Sequence, residues 1–345
     1  MRMFETDKSK VLRSKYINYN FNKINGFTTT WGRGLKEDPD MCPYGNMILD
    51  MEITDICKGV GNEGPCKFCY KSNTAKNTSN MTFEMFRDIM DKMPKYDGVP
   101  LLQQIAFGVD AQCESNPDVW KMMEYSRSIG VVPNVTVADI SDETADKLVQ
   151  YCGAVAVSRY QNKNYCYDSI KKLTDRGMKQ VNIHQLVSAE TVGQIYETFS
   201  DYLNGEPRLK GLNAIVLLSL KQKGRGQGFN RVSDNRFKEI VDCALDNNIP
   251  VGFDSCGCGK FLDSVKGRDN FKQLEMLSEP CESTCFSAYI NSKGDFYPCS
   301  FTEKHDGIKV SECDDFVKDV WLHDKTVQFR DKLLANDRRC PVYEV

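Results

Sequence analysis

Residues 48–69 read Ile48-Leu49-Asp50-Met51-Glu52-Ile53-Thr54-Asp55-Ile56-Cys57-Lys58-Gly59-Val60-Gly61-Asn62-Glu63-Gly64-Pro65-Cys66-Lys67-Phe68-Cys69. The apolar run Ile48–Ile56 ends on a cysteine, and a loop with three glycines leads to two more, at the spacing Cys-x8-Cys-x2-Cys. The run opens a rhythm that lasts to about residue 250. Further apolar runs fall at Leu101–Val109, Val131–Ala138, Gly153–Ser158, Gln180–Ser188 and Asn213–Lys221. Between and after them lie stretches with helical apolar spacing: Thr82–Met93, Asp118–Ile129, Ser141–Tyr151, Tyr165–Arg176, Ala189–Leu203 and Ser233–Asn247. Thr82 and Ser141 are good N-caps, and Gly130 and Gly177 stand where helices stop. Six strand–helix units predict parallel strands joined by right-handed crossovers. The strands read as apolar nearly throughout, as strands covered on both faces do. The expected fold is α/β, a partial (β/α)6 TIM-like barrel or a doubly wound sheet. Both place ligands at the C-terminal strand ends, where Cys57 stands.

Residues 1–47 are polar with interspersed aromatics and predict an irregular extension with at most one hairpin. Residues 48–250 form the expected barrel, and residues 251–345 a small cysteine-rich, loop-rich domain. That last segment has one hairpin, Phe286–Ile290 and Phe296–Tyr297 around Asn291–Asp295. The 345-residue chain is 41% hydrophobic and 27% charged, an ordinary globular composition. A net charge of −3 argues against non-specific nucleic-acid binding. No run reaches the ~20 apolar residues of a membrane span, and the charged start lacks a signal-peptide core, so a cytoplasmic protein is expected.

The chain has 15 cysteines but only three histidines, His184, His305 and His323. In a reducing cytosol clustered cysteines bind metal or do chemistry rather than form disulfides. Three thiolates in the first cluster, not four, is the informative count. A structural zinc normally takes four protein ligands, whereas three cysteines on a [4Fe–4S] cluster leave one iron open.

With these residues in place, the segment resembles the signature of radical S-adenosylmethionine (SAM) enzymes, three cysteines after the first barrel strand with an aromatic, here Phe68, before the last. The family's usual first gap is three residues, and here it is eight. The resemblance implies a [4Fe–4S] cluster on Cys57, Cys66 and Cys69, with SAM on the open iron and Phe68 near the adenine. Phe107-Gly108-Val109-Asp110 stands where the family has Gly-Gly-Glu, implying SAM contacts at Gly108 and Asp110, the acid one methylene shorter. Ser158 at the fourth strand end, His184 on the fifth strand, and Arg225 in Lys221-Gln222-Lys223-Gly224-Arg225-Gly226 complete the implied SAM-binding set. Arg225 and its glycines are expected to meet an anionic group.

A second resemblance lies downstream. Cys281-x12-Gly294-x4-Cys299 falls within the pattern of SPASM and twitch domains, which carry auxiliary Fe–S clusters. It implies one auxiliary cluster, of [4Fe–4S] type, on Cys281, Cys299 and a later Cys340. The remaining ligand lies among Cys256, Cys258, Cys285 and Cys313, with Cys256 favoured by its glycine-rich loop. Cys113, Cys152, Cys166 and Cys243 read as core residues. The implied activity is reductive SAM cleavage and hydrogen abstraction from a peptide or protein, with an electron donor such as flavodoxin or ferredoxin. Two alternatives remain: the same chemistry on a small molecule or nucleotide, and a non-catalytic zinc-stabilised module in which a residue such as Cys42 completes the first site.

Overall fold

The computed structural model describes residues 1–304 and 306–343. All six predicted strands form: Ile48–Glu52, Gln104–Gly108, Val132–Val137, Ala154–Ser158, Val181–Val187 and Ala214–Ser219. They lie side by side in chain order and pair in parallel, with Leu49 opposite Ile105, Val135 opposite Val155 and Ile183 opposite Ile215. The helices between them cover one face. Thr82 and Ser141 cap theirs by accepting the amides of Met85 and Thr144.

The strands do not carry apolar side chains on both faces, as the sequence reading expected. One set of positions is apolar and buried under the helices: Leu49, Met51, Ile105, Phe107, Val135, Val157, Ile183 and Leu217. The alternate set is largely small or polar, with Asp50 in register with Ala106 and Thr136 with Ala156, while His184 pairs with the apolar Val216. A barrel filled by bulky side chains has no room for a ligand, so this inner wall marks a lumen. Asp50 is exposed to water although it sits on a central strand.

The boundary expected at residue 250 runs through the sheet. Val251–Phe253 adds a further parallel strand beside Ala214–Ser219. At the other side Ser287–Ile290 pairs in parallel with Ile48–Glu52, and its hairpin partner Asp295–Tyr297 and Ile308–Lys309 continue the sheet to ten strands among the described residues. The cysteine-rich segment therefore supplies both ends of an open sheet. The first of these strands is only three residues long, too short to show a period. The hairpin itself falls where predicted.

The N-terminal segment also differs from expectation. Arg2–Glu5, Ser9–Arg13, Asn18–Asn22 and Thr28–Trp31 form a four-stranded antiparallel meander. Its apolar positions, Met3, Leu12, Tyr19 and Phe21, alternate with polar ones and form a second core with Met47, Leu101, Val132 and Phe286. Those partners precede or begin barrel strands, so the sheet closes the end of the barrel opposite Cys57. No described helix is long and apolar enough to cross a membrane.

Candidate functional site

The eight-residue gap after Cys57 closes on itself. Val60 and Gly64 exchange backbone hydrogen bonds at 3.1 Å each, around a short 3-10 turn at Gly61–Glu63. Val60 is buried against Ala111, Ala138 and Tyr160, beside Cys66. The extra residues thus form a pinned turn, and the chain re-enters at Cys66 next to where it left. Gln112 Nε2 ties the loop to the neighbouring strand end through the Gly59 carbonyl at 2.7 Å.

The three thiols converge. Cys66 and Cys69 are neighbours, and the proton shared by the pair stays on Cys66, which lowers the Cys69 pKa, helped by the nearby amides of Asn73 and Lys71 and by the Arg225 cation. The Tyr160 hydroxyl also reaches Cys66. Burial pushes the Cys57 thiol up against the opposing pull of the Gly59 and Ala111 amides. A donor set of three thiols, most of them receiving backbone N–H groups, has the chemistry of an Fe–S site, where hydrogen bonds to sulfur stabilise the thiolates. Among the described residues no three His, Cys, Asp or Glu side chains stand where one metal ion could be held. Cys42 does not serve this site. It is fully buried in the N-terminal core, its thiol is pushed up to about 12 by burial, and its backbone pairs with Cys285 and Trp321.

The implied SAM-binding residues are distributed as follows. Phe68 packs edge-on against Phe229, with Tyr160 on another side. At Gly108 any Cβ would come within 2.9 Å of the Glu52 Cα, so the position tolerates no side chain. Asp110 is buried, and its carboxylate accepts the amides of Glu114 and Ser115 at 2.9 Å each, which fixes the turn after its strand. Beside it opens a cleft of about 360 Å³ lined by Lys58, Gly59, Gly61, Asp110, Gln112 and Glu114. Ser158 and His184 are in register on the inner wall. Burial depresses the His184 pKa to about 4, so the ring is neutral, and its Nδ1 lies 3.4 Å from the Thr136 hydroxyl. Arg225 departs from expectation. Its guanidinium donates to the carbonyls of Cys66 and Asn73 and its amide to that of Cys69. It braces the cysteine loop from within.

The second group forms around the strand ends at Asp254 and Pro298. Cys281 and Cys256 are neighbours, the shared proton staying on Cys281 and lowering the Cys256 pKa, and Cys299 is near both. Cys299 receives the amides of Phe301 and Thr302, while burial holds its pKa up at about 11. Cys340 reaches the same corner: its sulfur accepts the Tyr343 amide at 3.3 Å, and the Tyr343 hydroxyl donates to the Phe301 carbonyl at 3.1 Å. The other candidates point elsewhere. Cys258 faces Glu279 and Arg338, Cys285 lies in the N-terminal core, and Cys313 donates to the Val310 carbonyl. Cys113, Cys152 and Cys166 are buried in the main core, with Cys243 packed against it.

Sequence reading missed the polar network joining the two groups. Lys71, two residues past Cys69, bonds to Glu303 and lies 3.1 Å from Glu52. Tyr289 and Asn291 complete the cluster. These residues come from four distant segments, and no local spacing announces them.

No family model and no curated protein matches the chain. Among solved structures it is similar to BtrN in complex with AdoMet and 2-DOIA, with TM-score 0.44 and 14% identity over 87% of this chain and 93% of that one. It is also similar to orotidine 5'-monophosphate decarboxylase from Methanocaldococcus jannaschii complexed with the inhibitor BMP, with TM-score 0.33 and 10% identity over 84% and 98%. A third is the spore coat polysaccharide biosynthesis protein SpsE from Bacillus subtilis, with TM-score 0.35 and 11% identity over 87% and 72%. Likenesses this loose carry no functional argument.

Proposed function

We propose that this chain is a radical SAM enzyme that holds a [4Fe–4S] cluster on Cys57, Cys66 and Cys69 and an auxiliary Fe–S cluster on Cys256, Cys281, Cys299 and Cys340. The observation that supports the reading is that Cys57, Cys66 and Cys69 lie near one another past the C-terminal end of the first parallel strand. When bound, the reduced cluster and SAM supply a deoxyadenosyl radical that removes a hydrogen atom from a substrate carbon. The protein positions and shields. The amides of Gly59, Ala111, Lys71 and Asn73 stabilise negative sulfur at Cys57 and Cys69, and Arg225 locks the carbonyls on either side of Cys69. Cofactors do the hard step while residues orient and exclude water. Phe68, Gly108, Ser158 and neutral His184 are the residues assigned to SAM. Asp110 contributes by holding its turn.

The resemblance pairs this architecture with peptide or protein substrates. The geometry favours the alternative, a small molecule. The inner wall is built of Ala106, Ala156, Thr136, Asn182 and Asp50, and the N-terminal sheet packs at the far end of the strands. The zinc-module reading would need a fourth thiol at the first site, which Cys42 does not supply. Anaerobically purified protein should contain about eight irons with matching sulfide. Its reduced electron paramagnetic resonance (EPR) signal should shift when SAM is added. Colourless, zinc-containing protein without sulfide would refute the proposal.

A further inference from the structure

The loop Lys221–Gly226 leaves the sixth strand and carries a cation at every second position. Each cation bonds a different part of the two cysteine groups. Lys221, buried, bonds to the Asp254 carboxylate and lies beside Cys256, with its ammonium 4.9 Å from the centre of the Phe301 ring. Lys223 donates to the carbonyls of Ser300 and Phe301 at 3.2 and 2.9 Å, directly after Cys299. Gly224, at φ +56°, lies so close to the Cys69–Tyr70 backbone that a Cβ would fall 2.4 Å from the Tyr70 carbonyl oxygen. Arg225 then holds Cys66, Cys69 and Asn73 by their carbonyls. Under this strut the residue after Cys69 meets a residue just past Cys299: the rings of Tyr70 and Phe301 lie 4.3 Å apart at 38°.

Resting on the proposed function, we infer that the Tyr70–Phe301 pair is the electronic contact between the two iron–sulfur centres. Lys221 is the positioning residue that biases the electron toward the Cys256/Cys281/Cys299 centre. The step is a single electron transfer. With an external one-electron reductant such as dithionite as the source, the centre at Cys69 is oxidised by one electron and the centre at Cys299 reduced by one. No bond forms or breaks and no proton moves. Two tilted rings in contact put dense, polarisable matter between the two loops. A fixed ammonium beside a ligating sulfur favours the more negative, reduced state, because charge and hydrogen bonding at the sulfurs set cluster potentials. The neighbouring Lys71–Glu52–Glu303 cluster holds both loops in place through ion pairs buried between them.

The test uses the full-length, reconstituted protein. Iron, sulfide and SAM cleavage are measured first; if the wild type lacks two clusters, the proposed function fails and the contact falls with it. In protein carrying both, the centres are resolved by EPR potentiometry and by rapid photoreduction with one electron per chain. Phe301→Leu and Tyr70→Leu should slow equilibration between the centres at least tenfold with both potentials unchanged, and Tyr70→Phe should behave as wild type. Lys221→Met should lower the potential of the auxiliary centre by at least tenfold in its reduction equilibrium, 59 mV for one electron, and Lys221→Arg should restore most of it. Unchanged rates in both leucine variants, or an unchanged potential in Lys221→Met with iron content intact, would overturn the inference.

Discussion

Gly59 has φ +76°, and a Cβ there would lie 1.8 Å from the Gly64 carbonyl carbon. Its neighbours are backbone, which cannot swing away, so a side chain must open the turn that returns the chain to Cys66. Gly59→Ala should therefore lose most of the iron of the first centre while far-ultraviolet circular dichroism stays native; full iron loading would show that the turn does not set the thiol geometry. His184 makes a different prediction. Its folded pKa of about 4 lies below the ordinary 6.5. Between those values the unfolded chain binds the proton and the folded chain does not, so stability falls as pH drops from about 6.5 to 4. His184→Gln should lose less stability than wild type across that window, by on the order of 2 kcal/mol, as read by urea titrations at pH 7 and 4.5. At this scale the proximity of Cys57, Cys66 and Cys69 was legible because sequence spacing is also spatial spacing. The role of Arg225 was not: its partners are backbone carbonyls, which leave no mark on residue choice.

The barrel elements could be read because periodicity, caps and strand length agreed. The N-terminal sheet was not legible although Asn18-Tyr19-Asn20-Phe21-Asn22 alternates strictly, because four strands of only four or five residues each are too short to set a period against the polar residues around them. Its work is structural. Phe21 is fully buried in a core that lies at the opposite end of the strands from the cysteines. Phe21→Ala should cost about 3–5 kcal/mol in denaturant unfolding and leave iron content per folded chain unchanged. A folded variant that lost iron selectively would mean this sheet reaches the site. The segment after residue 250 was misjudged for a related reason. A three-residue strand and a hairpin carry too few side chains to reveal that they extend a larger sheet, so its continuation past residue 250 was not legible.

At the scale of the molecule, the loops that follow Ile48–Glu52, Val251–Phe253 and Asp295–Tyr297 carry the two cysteine groups, and one basic loop ties the groups together. The groups should nevertheless separate by mutation. Cys281→Ala or Cys299→Ala should remove about half of the iron, with part of the SAM cleavage retained, because the first centre has its own thiols and amides. Loss of all iron in either variant would show that the two groups fold as one. The most direct test of the account is deoxyadenosine formation. Reconstituted wild-type protein, given dithionite and SAM under anaerobic conditions, is predicted to release 5'-deoxyadenosine, and Cys57→Ala, Cys66→Ala and Cys69→Ala to release none. Iron-loaded wild type that yields no deoxyadenosine, or a Cys66→Ala variant that yields as much as wild type, would contradict it.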